Sequence, residues 1–194
     1  MPYVIAPLSD VKGLNNYPEY IDALKAVEKA ALARADVLWS GQAPGGLVPT
    51  GQQYGLGPLR KNDMAVDTTD STPSGSYSFR KTVTATGWVD TFNYTVRQDM
   101  IHAFAGFLVA DDVLRITQFR MEIGDRRFPI WDIQEAFRYD KFAVILKTDQ
   151  GGELVADPRT RVLMRTYFET VGLQRVVPLG LSLYRRPDLV ITET

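Results

Sequence analysis

The hydrophobic positions follow two different periods along the chain, and the helical one comes first. Asn16 can cap a helix, Pro18 suits its first turn, and Glu19 stands three residues after the cap. The apolar positions that follow recur at helical spacing; they are Tyr20, Leu24, Val27, Ala31 and Leu38. This pattern predicts an amphipathic helix that ends near Trp39. We expect it to pack on its own domain, and packing on a neighbouring subunit is the alternative.

After residue 76 the apolar positions alternate with polar ones, which is the period of a strand with one face in water. In the first run the odd positions from Tyr77 to Ala85 are apolar, with Lys81 as the exception. The second run follows Gly87, and its apolar positions are Trp88, Phe92, Tyr94 and Val96. These runs predict two antiparallel strands joined at a glycine.

Later apolar runs are shorter and predict further strands and turns. Residues 99–109 fit a short helix. A hairpin is predicted from 142–147 and 153–156, and Asp157-Pro158 turns the chain again. Further strands are predicted at 113–123, 127–133, 161–170 and 173–184, and a helical turn at 134–139. Because the strand at 127–133 contains Pro129, we expect it at a sheet edge.

Roughly seven to nine short strands separated by turns predict a mainly β protein, a β-rich α+β fold. The expected architecture is an antiparallel β-sandwich or barrel with an N-terminal helix, extended arms and a long ordered loop. The chain divides into four parts: an N-terminal arm with the helix (1–39), an extended Gly/Pro-rich loop (40–76), an antiparallel β core (77–186) and a C-terminal tail (187–194).

The segment between Ser40 and Ser76 holds seven of the chain's fifteen Gly and four of its eleven Pro, with one aromatic residue, Tyr54. Such a segment buries too little apolar surface to offset its ordering entropy, so alone it would be mobile. We expect this loop, the extended arm at 1–16 and the tail to gain fixed shape only by lying against other polypeptides. That expectation indicates a subunit of a larger assembly.

The composition excludes several classes of function. The chain has no Cys, which rules out disulfides, thiolate zinc sites and cysteine nucleophiles. A net charge of −1 provides no basic field for bulk binding of nucleic acid. The first residues lack a secretory signal pattern, and no apolar run reaches the roughly 20 residues that span a bilayer. We expect a soluble protein that is not secreted and has no membrane span.

The residue types that support catalysis or metal binding do not fall into a known arrangement. His102 is the only histidine, and no G-x-S-x-G elbow accompanies it, so we expect a structural role. Ser78 and Lys81 match S-x-x-K by letter, but a strand points residues three apart to opposite faces. Asp111-Asp112 is expected to cap a turn. One further acidic group lacks the glycine and glutamate of a calcium loop; it comprises Asp63, Asp67 and Asp70.

Other short motifs are interpreted as ordinary structure. Gly55-Leu-Gly57 follows no predicted strand, so we interpret it as flexible chain and not as a phosphate loop. Asn93-Tyr-Thr95 is a glycosylation sequon by letter, and we expect it to be unused. Trp131 is expected in the core, with an interface anchor as the alternative. The basic doublets suit solvated turns or carboxylate contacts between subunits; they are Arg60-Lys61, Arg126-Arg127 and Arg185-Arg186.

We assign no catalytic, cofactor-binding or metal-binding residue, and no cofactor. The favoured hypothesis is a non-enzymatic structural subunit of a large assembly, such as a phage-like capsid, cement or tail protein, located in the virion or otherwise in the cytoplasm. Its partners would be copies of itself and other structural proteins, with no specific nucleic acid. One alternative is a β-sandwich module that binds a ligand or glycan through Tyr54, Trp88 and Trp131. A carboxylate-based hydrolase is the other.

Overall fold

The computed structural model describes residues 3–8, 11–39, 54–60, 63–64, 77–109, 111, 113–139, 141–147 and 151–185. The tail at 187–194 and most of the Gly/Pro-rich segment at 40–76 lie outside these ranges. Asp67 and Asp70 lie outside them as well. The expectations for these parts of the chain stay predictions.

The predicted N-terminal helix is confirmed. A 3-10 turn at Val11–Asn16 leads into α1 at Pro18–Trp39, with Glu19 in its first turn. The buried face of α1 is made largely of small side chains, which let the helix lie close to the sheet beneath it; this face comprises Ala23, Val27, Ala31, Ala35 and Trp39. Three residues of the predicted face are only partly buried against the core, namely Tyr20, Leu24 and Leu38. α1 packs on its own domain, as expected.

The described residues form twelve strands. In chain order they are β1 (Tyr3–Pro7), β2 (Tyr54–Pro58), β3 (Phe79–Val83), β4 (Gly87–Thr95), β5 (Met100–Val109), β6 (Ile116–Ile123), β7 (Arg126–Arg127), β8 (Trp131–Asp132), β9 (Phe142–Leu146), β10 (Val155–Ala156), β11 (Arg161–Phe168) and β12 (Gly172–Arg185). A 3-10 turn at Gln134–Arg138 confirms the predicted helical turn, and another lies at Gly152–Leu154. β6, β11 and β12 confirm three of the strands predicted in the second half of the chain.

The strands form two antiparallel sheets. The seven-stranded sheet has the order β1-β9-β5-β12-β2, with β10 beside β5 and β3 beside β12. The five-stranded sheet has the order β4-β11-β6-β7, with β8 beside β6. The single strand predicted at 127–133 is wrong, because the chain forms two separate two-residue strands, β7 and β8, on either side of Pro129; their position at a sheet edge is as predicted. The two sheets face each other, and α1 covers the outer side of the seven-stranded sheet by packing on β5, β9 and β12. The structure confirms the predicted β-sandwich, which is not closed into a barrel.

Aromatic side chains from both sheets fill the space between them. Phe104 of β5 stacks on Phe92 of β4, with ring centroids 6.4 Å apart. Phe107 of β5 stacks on Phe119 of β6 at 5.7 Å, and Trp131 lies against Phe107 in the core, as the sequence predicted. Each fully buried Phe stabilises the fold by about 1.5–3 kcal/mol, so these contacts strongly favour a single relative arrangement of the two sheets.

The helix predicted at 99–109 is wrong, because this stretch is strand β5. All ten residues of β5 are buried. The strand lies between β9 and β12, with the five-stranded sheet on one side and α1 on the other. A strand that is buried on both faces has a continuous apolar run without alternation. The period of such a run does not distinguish it from a buried helix.

Two predicted strand pairings are also wrong. β9 and β10 do not form a hairpin, because both pair with β5: β9 lies beside residues 106–109 and β10 beside residues 102–103. They therefore run in line along the same side of β5. β3 and β4 belong to different sheets, since β3 pairs with β12 and β4 pairs with β11. The local sequence predicted the strands, but their partners come from distant parts of the chain.

The N-terminal arm and part of the Gly/Pro-rich segment fold back on their own domain. β1 pairs with β9 along its whole length. β2 contains Gly55-Leu-Gly57 and pairs with the last residues of β12, so the interpretation of this motif as flexible chain is wrong. Leu59 and Met64, which follow β2, are buried in the core. The expectation that these segments gain shape only against other polypeptides is therefore wrong for residues 3–8 and 54–60, because backbone pairing within the chain holds them.

Candidate functional site

The outer side of the five-stranded sheet is a surface of charged and aromatic side chains. Because side chains alternate along a strand, the inward residues of β4, β6 and β11 fill the core and the others point away from it. We call this surface the open face; it comprises Trp88, Asp90, Asn93, Thr95, Gln118, Arg120, Glu122, Arg127, Asp132, Arg161, Leu163, Arg165 and Tyr167.

Ion pairs connect neighbouring strands across the open face. Asp90 of β4 accepts a hydrogen bond from Nε of Arg165 of β11 at 3.0 Å. Glu122 of β6 lies 3.0 Å from nitrogens of both Arg120 and Arg127. Arg165 and Asp90 are 37% and 46% exposed, and a pair as exposed as this one contributes only about 0–1 kcal/mol to stability. The open face therefore carries a mixed pattern of charges, and its most exposed pairs add little to the stability of the fold.

An aromatic pair lies at one end of the open face. Trp88 of β4 and Tyr167 of β11 meet edge to face, with ring centroids 5.5 Å apart and an interplanar angle of 72°. Both side chains are partly exposed. At the other end of these strands, Nε of Arg161 donates to the side-chain oxygen of Asn93 at 3.0 Å. The open face thus has an aromatic end and a polar end.

A cleft of about 620 Å³ lies beyond the polar end. It is bordered by the end of α1, the β4–β5 turn, the turn before β11 and the end of β12; charged residues in its lining are Arg97, Asp99, Asp157, Arg159 and Arg185. Asp99 accepts hydrogen bonds from Arg97 at 2.9 and 3.1 Å, and Asp157 forms a two-point ion pair with Arg34. These two-point, charge-assisted contacts fix the orientation of both carboxylates.

His102 lies in the core, away from both the open face and the cleft. It is fully buried in β5, and its Nδ1 forms a hydrogen bond of 2.7 Å with the hydroxyl of Tyr94 in the opposite sheet. Burial lowers the pKa of His102 from 6.5 to about 4, so the ring is neutral near pH 7. Burial also raises the pKa of the Tyr94 hydroxyl. A neutral pair without access to solvent fits the structural role expected for this histidine.

The other polar residues singled out in the sequence lie apart from one another. Lys81 lies within β3 and Ser78 just before it, which is the strand context that argues against an S-x-x-K site. Asp111 holds β12 in place by accepting a hydrogen bond from Nε2 of Gln174 at 2.8 Å. Asp112 lies outside the described residues. Arg126 of the central basic doublet donates to the backbone carbonyl of Gly152, before β10, and to that of Val155 in β10, so it has a local structural contact.

Asp63 is the one member of its acidic group that the structure describes. Burial raises the pKa of Asp63, while the positive charges of Arg60 and Arg97 act in the opposite direction. Within the described ranges, no three His, Cys, Asp or Glu residues lie together as a metal ion would require.

Of the three aromatic residues considered for ligand binding, Trp88 and Tyr54 are partly exposed, and Trp88 is the one on the open face. Tyr54 packs on Trp39 with ring centroids 5.4 Å apart, and Trp131 is buried. Sequence reasoning missed Tyr167 and the arginines of β6 and β11 as parts of one surface. The signal was present as polar residues at every second position of these strands. It could not identify a shared surface, because the pattern does not say which strands are neighbours.

No protein-family model and no curated protein matches this chain. In the part of the chain that the structure describes, no helix is long and apolar enough to cross a bilayer.

Proposed function

We propose that the protein is a non-enzymatic structural subunit of a large assembly, and that the open face is its contact surface for neighbouring subunits. The observation that carries the proposal is that three adjacent strands present Trp, Tyr and Arg side chains on one surface. These three residue types dominate the energetic centres of protein interfaces, because each buries a large area and also offers a polar group.

The two broad sides of the sandwich differ in a way that favours contact through the open face. α1 covers the outer side of the seven-stranded sheet, whereas Arg127 and Arg165 on the five-stranded sheet are 67% and 37% exposed. Because the most exposed ion pairs of the open face contribute so little to the fold, they can rearrange into pairs across an interface. Complementary charge on a partner would then determine its orientation.

At a finer level, we propose a virion protein of the capsid, cement or tail type, with copies of itself and other structural proteins as partners. Two features support this: the antiparallel β-sandwich core, and the Gly/Pro-rich sequence between Ser40 and Ser76. Subunits of such shells can use Gly/Pro-rich sequences to add contact area to neighbours, beyond what a standard interface of about 1,600 Å² provides.

Native mass measurement of the full chain tests this proposal. We expect species well above the 21.8 kDa monomer, and we expect the double variant Trp88→Ala/Tyr167→Ala to return them to monomer. Lys25→Ala, at an exposed position of α1, is the control and should assemble like wild type. Circular dichroism establishes that each variant is folded. A wild-type chain that stays monomeric at every concentration, or a double variant that assembles normally, would refute the proposal.

Recognition of a glycan is the second candidate, and one observation favours it. The partly exposed rings of Trp88 and Tyr167 offer apolar faces with polar edges, which suit stacking on a sugar. Tryptophan fluorescence during titration with a panel of oligosaccharides distinguishes the two functions. Saturable quenching of a monomeric chain, lost in Trp88→Ala, would favour the glycan module, whereas assembly without quenching would favour the structural subunit.

A further inference from the structure

The turn before β11 holds an arginine in a backbone conformation that side chains disfavour. The turn spans residues 157–160 and is closed by a hydrogen bond of 3.1 Å from the Thr160 amide to the Asp157 carbonyl. Arg159, at its third position, has a φ of 63°. Pro158 at the second position and a positive φ at the third are features of a type II turn, where Gly or Asn is preferred at the third. An arginine at this position holds the backbone in a strained conformation, and residues with strained backbones cluster at functional sites.

The side chain of Arg159 lines the cleft beside the end of α1. One of its terminal nitrogens donates to the side-chain oxygen of Gln98 at 2.8 Å. Among the described residues it has no carboxylate partner, whereas Arg97 and Arg34 each hold one with two hydrogen bonds. The backbone amide of Arg159 donates to the Val96 carbonyl at 2.9 Å, so the turn that carries the guanidinium is anchored to the end of β4.

The charges around the cleft leave a place for an anion. Asp99 and Asp157 would repel one, but each is already neutralised by its own arginine, Arg97 or Arg34. The guanidinium of Arg159 therefore stands as a positive charge without an acidic partner in the described part of the chain. Trp39, at the end of α1, adds an apolar wall to the same cleft.

We propose that the cleft binds a carboxylate group and that the guanidinium of Arg159 is its main ligand. The planar fork of an arginine matches a carboxylate through two parallel hydrogen bonds, and Arg97 and Arg34 hold Asp99 and Asp157 in this way. A volume of about 620 Å³ admits an acidic peptide side chain or a small dicarboxylate. This site goes beyond the proposed function, since it does not involve the aromatic end of the open face.

Chemical-shift perturbation of the ¹⁵N-labelled full chain tests the site with two probes. Succinate represents a free dicarboxylate, and acetyl-Ala-Glu-Ala-amide represents an acidic peptide, so the comparison identifies which source of carboxylate binds. We expect saturable shifts in the amides of residues 97–99 and 157, 159 and 160. Arg159→Gln should weaken binding by about tenfold, because it removes a charged, two-point hydrogen bond. Lys25→Gln makes the same change of charge at an exposed position of α1, outside the open face and the cleft, and should leave the affinity within about twofold.

The variant Arg159→Gly separates binding from folding. Because glycine adopts a positive φ without strain, this variant should unfold about 2–4 °C higher than wild type while losing the binding of both probes. Absence of saturable shifts with either probe would overturn the proposal. Equal weakening by Arg159→Gln and Lys25→Gln would also overturn it, since binding would then follow net charge. A lower unfolding temperature with unchanged binding in Arg159→Gly would assign Arg159 a purely structural role.

Discussion

The imidazole of His102 lies between the two sheets with one ring nitrogen bonded to Tyr94. Its second nitrogen, Nε2, and the hydroxyl of Ser182 have no hydrogen-bond partner among the described residues. Ser182 stands directly opposite His102 where β12 pairs with β5. A buried polar group without a partner costs about 1–3 kcal/mol. Protonation of the ring would therefore place a charge where even neutral polar atoms are unsatisfied.

We expect the free energy of unfolding to decrease as the pH falls from 6.5 towards 4. The pKa of His102 is about 4 in the folded chain against an ordinary value of 6.5, so within this window the unfolded chain takes up a proton that the folded chain does not. His102 alone then accounts for a loss of roughly 3 kcal/mol by pH 4. Urea unfolding of wild type and His102→Gln at several pH values measures this decrease in the free energy of unfolding.

The comparison with His102→Gln isolates this one group. Glutamine does not titrate, and the acidic residues that titrate in the same range are common to both proteins. The decline below pH 6.5 should be shallower in the variant. Parallel curves for the two proteins would show that protonation of His102 is not linked to unfolding.

Among the elements, the central strands of the seven-stranded sheet approach one another at glycines. A Cβ atom on Gly106 of β5 would overlap the carbonyl oxygen of Val144 in β9. One on Gly180 of β12, whose φ is 151°, would overlap the carbonyl oxygen of Ala103 in β5. The register between β5 and β12 shifts beside Gly180. These two glycines let three strands pack closely around an irregular register.

Gly106→Ala is expected to lower the free energy of unfolding by about 2–4 kcal/mol, because β5 and β9 must move apart to admit the methyl group. Gly57→Ala in β2 is the matched control, since no atom lies within 4 Å of its Cβ position. The control should stay within about 0.5 kcal/mol of wild type. Urea unfolding measures both variants, and equal effects would contradict the close approach at Gly106.

How well the sequence predicts an element depends on whether its two faces have different surroundings. β4 and β11 have one face in the core and one on the open face, so their alternation is visible and both were predicted. β5 is buried on both faces, which removes the alternation and made it resemble a helix. β7, β8 and β10 have two residues each and are too short to show any period.

For the whole molecule, the periods in the sequence predict an antiparallel sandwich with an N-terminal helix, but not which strands are neighbours. Trp88 and Tyr167 come together because β4 pairs with β11, and Arg165 meets Arg120 because β11 also pairs with β6. These pairings join residues that are far apart in the chain, and the register depends on burial across the sheet. The sequence therefore predicts which residue types alternate along each strand of the open face, but it does not predict that these residues form one surface.

Deletion of residues 41–75 is expected to destabilise the whole domain. The deletion removes β2 and the buried side chains of Leu59 and Met64, and it uncovers the edge of β12. Loss of a buried side chain of this size costs about 2–5 kcal/mol, and a domain has about 5–15 kcal/mol in total. Thermal unfolding followed by circular dichroism should show a much lower transition temperature or none.

A shorter deletion, of residues 41–51, is the control because it keeps β2 and both buried side chains. The rings of Trp39 and Tyr54 are in contact, so a short link can join the end of α1 to β2. We expect this variant to unfold close to the wild-type temperature. If the longer deletion behaved the same way, β2 would not belong to the cooperative core.

β9 and β10 lie end to end along one side of β5. The chain leaves β9 after Leu146 and re-enters the sheet at Val155 in the same direction, so β5 pairs with the strands at both ends of the connection at 147–154. A change in the length of this connection would not shift the register of the sheet, because pairing with β5 sets the register of both strands. Gly151 within it lies against Ala26 of α1, on the helix side of the molecule. An affinity handle or reporter peptide grafted at the next residue, Gly152, which is exposed and has no atom within 4 Å of its Cβ position, would leave the aromatic end of the opposite surface free for recognition.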